Sequence, residues 1–211
     1  MFRLLVLASL CWITVAGSTC PEGFKLFERN PTARNNHTKQ WCLGVFKHGE
    51  DLGKREQARH MCISLNSSLS LPETLKEVDF VLESYNETAE TGIAIDGEIS
   101  RKCKIQFHKT QIGFANATGY CSLNNHLFEY DDSNSDPSFV QQHFNSFLPS
   151  RTYSFTDGDF PGSVADFSSC VVLLKNEIEK GGKLYYGDTS YCSGEKDGQE
   201  IHKVVCGRHP L

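Results

Sequence analysis

Eight cysteines carry the chemistry most constrained by spacing in this chain: Cys20, Cys42, Cys62, Cys103, Cys121, Cys170, Cys192 and Cys206. A ninth, Cys11, lies in MFRLLVLASLCWITVAGS. That segment has Arg3 as a short basic start, an apolar run from Leu4 to Val15, and small residues at Ala16, Gly17 and Ser18, which is the pattern of a signal peptide. The run is too short to span a bilayer, and no later apolar stretch approaches the roughly 20 residues that spanning needs. Residues 1–18 are therefore predicted to be removed, leaving a secreted, extracellular domain over 19–211 that does not insert in a membrane. Eight cysteines in an exported chain read as a disulfide framework, although spacing alone selects no pairing. The rival reading, a zinc cluster, lacks any CxxC or paired Cys/His spacing.

Other reactive residue types give weaker signals. Four sequons mark Asn36, Asn66, Asn86 and Asn116 as candidate glycosylation sites on surface turns. The eight histidines are scattered, with His209 in a GRHP tail that is expected to fray, and no HExxH, GxSxG or unpaired mature cysteine offers a catalytic site, so no enzyme is expected. A carboxylate pair for glycoside hydrolysis would meet only in space, which leaves a secreted hydrolase as a distant alternative. DSNSDP (132–137) imitates the start of a calcium-binding EF-hand loop, but Pro137 and His143 stand where Gly and Glu are needed, so it reads as a solvated turn. Asp157 and Asp159 sit in a Gly-containing turn, where Asp commonly bonds its own backbone. A net charge of −5 and the absence of a basic stripe interleaved with aromatics argue against nucleic acid.

The elements that would position these groups follow from periodicity. Residues 20–47 read as two strands joined by the polar stretch NPTARNNHT. In LGKREQARHMCISL, Ala58, Met61, Cys62 and Leu65 form one helical stripe that carries a cysteine. A second helix is predicted from Ser70, with Glu73 completing a capping box and Leu75, Val78, Val81 and Leu82 facing inward. TGIAIDG reads as a buried strand and turn. Residues 100–169 read as a long, polar, cysteine-bearing loop region, and VVLL, KLYY and KVVC as closing strands. Seven aromatics (Phe139, Phe144, Phe147, Tyr153, Phe155, Phe160 and Phe167) crowd that loop, as a satellite core or as a contact patch. Segregated strands and helices give an α+β class: two helices on a mainly antiparallel sheet, disulfide-stapled, in one domain.

CPEGF…WCLGVF, REQARHMC, SLPETLKEVDFV, GIAIDG and CVVLL…C…VVCG together resemble a C-type lectin-like domain over nearly the whole mature chain. Ala94 stands at the tryptophan position of that family's WIG strand. The cysteines after AIDG and the CGRHP ending resemble the expanded secreted sets of nematodes. The resemblance implies that Cys62 pairs with Cys206, Cys170 with Cys192 and Cys20 with Cys42, leaving Cys103 and Cys121 to close their own loop.

The resemblance also implies where calcium and sugar would bind. Family members that bind sugar through calcium carry a W-x-x-G-E-P-N or QPD loop and a W-N-D strand, whose hard oxygens hold the ion. Counting back from Cys192 places Gly187, Asp188 and Thr189 in the W-N-D slots. For the loop, FNSFLPS puts Leu148 and Ser150 at the ligand positions, with Phe144 as the aromatic. FTDGDFPG is the alternative alignment and leaves no equivalent at all. Either way the calcium–sugar site is depleted. The resemblance then implies calcium-independent binding of a glycan, microbial-surface or cell-surface protein ligand, with a role in innate defence. The candidate surface is Phe144, Leu148, Ser150, Tyr186, Asp188 and Thr189. A calcium lectin using displaced Asp157, Asp159 and Asp188, and a protein-binding module, are the alternatives.

Overall fold

The computed structural model describes residues 18–49, 52, 55–84, 92–110, 118–122, 125–139, 171–174, 185–187 and 201–211. The opening hairpin is β1 (Lys25–Glu28) against β2 (Gln40–Lys47), in antiparallel register from Lys25↔Leu43 to Glu28↔Gln40. Helix α1 (Arg55–Ser64) follows, then the short β3 (Ser68–Leu69), helix α2 (Leu75–Glu83), β4 (Gly92–Ile95) and β5 (Glu98–Ile99). Helix α3 (Arg101–Thr110), a 3-10 turn at Gly119–Cys121, and β6 (Phe128–Glu129) come next. Strands β7 (Val171–Leu174), β8 (Tyr185–Gly187) and β9 (Ile201–Arg208) close the chain.

Among the described residues the main sheet has the order β1-β2-β9-β4-β7-β8, with β3 added to β9, while β5 and β6 form a separate pair. The last strand therefore lies in the middle, antiparallel to β2 and parallel to β4. A strand covered on both faces should be apolar at consecutive positions, and β9 is, at Val204, Val205 and Cys206. Because side chains alternate across a strand, Val205 enters the main core with Trp41, Leu43, Leu71, Val78, Val81, Ile93, Ile95 and Leu173. Val204 and Cys206 face the opposite way, into a second core with Leu52, Ala58, Cys62, Leu69 and Ala94. The small Ala58 and Ala94 let α1 approach the sheet closely, as a bridge from Cys62 to Cys206 with Cα atoms 5.3 Å apart requires.

Disulfides also join Cys20 to Cys42 and Cys103 to Cys121. The expected Cys170–Cys192 pair lies outside the described residues, as do residues 1–17 of the predicted signal peptide.

The structure departs from the sequence reading at three elements. The second helix starts at Leu75, not Ser70: Thr74 is its N-cap, its hydroxyl accepting from the Glu77 N–H at 3.2 Å. Leu75 is exposed, and Glu77, Val78 and Val81 are the buried positions. Second, residues 101–110 form a third helix inside what reads as loop. Its signal was Ser100, which caps it by accepting from the Cys103 N–H at 3.4 Å. The apolar positions Cys103, Ile105 and Phe107 alternate and so hide the helical period. Third, the CGRHP tail, expected to fray, is tied down. His209 packs edge-on against Trp41, and the Leu211 N–H donates to the Thr19 carbonyl at 2.8 Å.

Candidate functional site

Of the candidate ligand residues, Tyr186 is placed, in β8, where its backbone pairs with Leu173 of β7. Phe144, Leu148, Ser150, Asp188 and Thr189 lie outside the described residues, and so do Asp157 and Asp159. The described part of this region is its root: Phe128–Phe139, which leads into the long loop, and β7, which leads out of it. The root is held by a continuous buried polar network, and DSNSDP is at its centre.

Arg29 of the opening hairpin is one pole, its side chain fully buried. Its Nε and Nη2 form a fork onto Glu77 of α2 at 2.9 and 3.3 Å. Nη2 also donates to the Leu71 carbonyl at 2.9 Å, and Nη1 to the Asn134 carbonyl and Ser135 Oγ, both at 2.9 Å. Glu73 lies 3.4 Å away. Burial raises the Glu73 carboxyl, while Arg29 and the N–H of Asp136 pull it down less strongly. One guanidinium thus ties β1, α2 and the loop root together.

Asp132 joins this pole to the next. Its Oδ1 accepts from the Asn134 N–H at 2.9 Å, and its Oδ2 accepts from the hydroxyls of Ser70 and Ser135, each at 2.6 Å. Ser70 Oγ in turn accepts from the Trp41 indole N–H at 3.0 Å. Gly207 of β9 passes directly beneath: a Cβ there would lie 2.1 Å from Trp41 Nε1 and 2.6 Å from Ser70 Oγ.

Asp96, just after β4, is the other pole. Its two oxygens accept from Arg55 Nη2 at 2.6 Å and from the N–H groups of Gly97, Asp131 and Asp132, each at 2.8 Å. Burial pushes the Asp96 carboxyl up to about 6, against the pull of the Arg55 guanidinium and the N–H donors. Arg55 also reaches Asp131 at 2.9 Å and Glu98 at 3.2 Å. Burial lowers its affinity for a proton, but these three carboxylates outweigh that and raise it.

DSNSDP is therefore not a solvated turn. Asp132 and Ser135 are buried, and Asp136 bonds Thr32 and the Ser138 N–H. A sequence scan could not find this role, because the partners outside the segment lie 36 to 106 residues away. The arrangement is a scaffold. Every carboxylate in it already accepts from protein donors, and Glu77, Asp96 and Asp132 are buried away from substrate. Among the described residues no group of three or more His, Cys, Asp or Glu side chains has the geometry to hold a metal.

The remaining candidates separate clearly. Asn36 and Asn66 are exposed, both at positive φ (51° and 52°), while Asn86 and Asn116 lie outside the described residues. Phe139 packs, half-buried, against the main core; the other six loop aromatics lie outside the described residues. His60 is exposed beside Glu56 at 3.1 Å, and His126 stacks on Tyr120. Among the described residues no helix is long and apolar enough to cross a membrane.

The family described as C-type lectin domain-containing protein 141/158 matches residues 26–209. No curated protein matches the chain. Solved structures with similar backbones include an SPL-1–GlcNAc complex at 15% identity, covering 90% of this chain and 94% of that one, with a TM-score of 0.46. The Ca2+-independent C-type lectin SPL-2 from Saxidomus purpuratus is 17% identical, with coverages of 90% and 93% and a TM-score of 0.42. The C-type carbohydrate-recognition domain of cow CD23 is 17% identical, with coverages of 92% and 98% and a TM-score of 0.39.

Proposed function

The chain belongs to the C-type lectin domain family, and on that premise we propose that it is a secreted glycoprotein that recognises glycans without calcium. Its work is binding, with no catalytic step. The observation that carries this reading is the content of the family's metal-ligand positions. Aligned on FNSFLPS, the loop offers Leu148 and Ser150; aligned on FTDGDFPG, it offers no equivalent; Gly187, Asp188 and Thr189 stand before Cys192. The leucine side chain has no oxygen to give, and calcium needs six to eight oxygen ligands. Sugar in such sites shares the ion's ligands, so a ligand set this depleted removes both. The buried Asp96 and Asp132 at the loop root do not compensate, because their oxygens already accept from internal donors.

The ligand surface in this reading is the long loop between Phe128 and Cys170 together with the Tyr186–Thr189 segment. The buried network fixes the loop's root, so recognition residues on the loop start from a rigid base. Glycan or microbial-surface ligands met outside the cell suit the exported, disulfide-bridged design. A glycan array probed with calcium and again with chelator tests the proposal. Equal signal in both supports it; signal lost with chelator assigns a calcium lectin; silence in both assigns a protein ligand.

A further inference from the structure

Charge is unevenly distributed in this chain. From Arg101 to Phe128 there is no Asp or Glu, while Arg101, Lys102, Lys104 and Lys109 contribute +4. With −5 overall, the rest of the chain carries −9 (−5 − 4). We propose that the described face around the Cys103–Cys121 bridge, formed by Arg101, Lys102, Tyr120 and His126, is a docking surface for a polyanionic glycan bearing sulfate or carboxylate groups. It uses none of the long-loop candidates Phe144, Leu148, Ser150, Asp188 and Thr189.

The described face holds the Lys102 charge in place. Ser100 caps α3, and the buried Cys103 on its first turn bridges to the buried Cys121 in the 3-10 turn. The bridge brings Tyr120 over Lys102, whose Nζ lies 3.6 Å from the ring centroid. His126 stacks on the same ring at 4.5 Å and 26°. Asn125 locks that turn by donating to the Gly119 carbonyl at 2.8 Å and to Ser122 Oγ at 2.9 Å. Arg101, Lys102, Asn125 and His126 are exposed, and Tyr120 is 44% exposed. A long lysine side chain already ordered on an aromatic ring loses less entropy when it meets an anion.

The same geometry selects among polyanions. Single-stranded nucleic acid binds by stacking bases on free aromatic faces, and here the Tyr120 ring is engaged by both Lys102 and His126. A membrane-binding helix needs a broad apolar face, whereas Ile105 is the one exposed large apolar residue on the described part of α3. At the base of the helix Glu98 and Glu129 face each other across β5 and β6, and Glu98 is tied to Arg55. That acidic border confines an anionic chain to the α3 side.

Retention of the glycosylated, disulfide-intact protein on immobilised heparin, read as a function of salt, is the test. Wild type is expected to be retained. The Arg101→Gln/Lys102→Gln variant is expected to elute at lower salt, with the slope of log K against log salt reduced by about 2, one for each cation lost. Its melting temperature and any chelator-resistant array signal should be unchanged, which separates this surface from the long loop. Control changes at exposed lysines elsewhere, Lys39→Gln and Lys76→Gln, should leave retention as in wild type. Failure of wild type to bind, or equal retention of the double variant, would overturn the proposal. Tighter binding to single-stranded DNA or to phosphatidylserine vesicles than to heparin, lost in the same variant, would overturn it in favour of that partner.

Discussion

Replacing Arg29 with methionine keeps an unbranched apolar stem, shorter by the guanidinium, and removes every Arg29 donor at the centre of the buried network. The loss can be worked through contact by contact. Glu77, fully buried, loses its fork at 2.9 and 3.3 Å, and Glu73 loses its cation at 3.4 Å. The carbonyls of Leu71 and Asn134 lose their side-chain donor. Breaking a buried pair by removing one partner typically costs about 3–5 kcal/mol, because the other charge stays buried and uncompensated. For a domain of this size that is a fall in melting temperature of roughly 6–20 °C. Thermal and urea unfolding of the disulfide-intact protein, by circular dichroism, measures it. Arg29→Lys should recover only part of the loss, since an ammonium cannot make the fork and still reach both carbonyls. The double change Arg29→Met/Glu77→Leu should be milder than Arg29→Met alone, because it removes the stranded carboxylate too. A destabilisation below about 1 kcal/mol for Arg29→Met would refute the view that this guanidinium holds the loop root.

Other consequences follow from the same contacts. Gly207→Ala places a methyl 2.1 Å from Trp41 Nε1; overpacking of this kind costs about 1–3 kcal/mol or more, and denaturant titration should show it together with altered tryptophan fluorescence. Asp96 has a folded pKa of about 6 against an ordinary 3.8, so between those values the folded state binds more protons and stability should fall as pH rises through that window. Asp96→Asn should lose that slope, and a wild-type stability that rises instead across the same window would contradict it. Non-reducing peptide mapping should find Cys170 with Cys192 beside the three bridges already placed, and any other partner for either would contradict the expected framework.

How much of this was legible in the sequence depended on the distance over which each signal acts. The stripe of Ala58 and Cys62 and the apolar closing strand around Val204–Cys206 are local patterns, and the structure places both in the core. Helix α2 is legible but misregistered, because Ser70 and Glu73 imitate a capping box, whereas the cap is Thr74, four residues later, accepting from the Glu77 N–H. Ser70 serves Trp41 and Asp132 instead. Helix α3 was missed because its apolar residues alternate while its cap, Ser100, looked like any turn serine. The buried network was illegible for a different reason. Asp96, Asp132, Arg29 and Arg55 are ordinary surface residue types, and only the fold brings their partners together. The family resemblance rested on cysteine and strand spacing, which survive substitution, and the family match over residues 26–209 agrees with it. The candidate ligand positions carry the least local pattern, since loops follow no period.

Binding to a glycan array in calcium and in chelator bears most directly on the central claim, that this C-type lectin domain protein recognises glycans without the metal. The account predicts the same set of bound glycans, at the same intensity, under both conditions. Signal that needs calcium and vanishes with chelator would contradict it, and would mean that displaced oxygens such as those of Asp157, Asp159 and Asp188 rebuild the ion site.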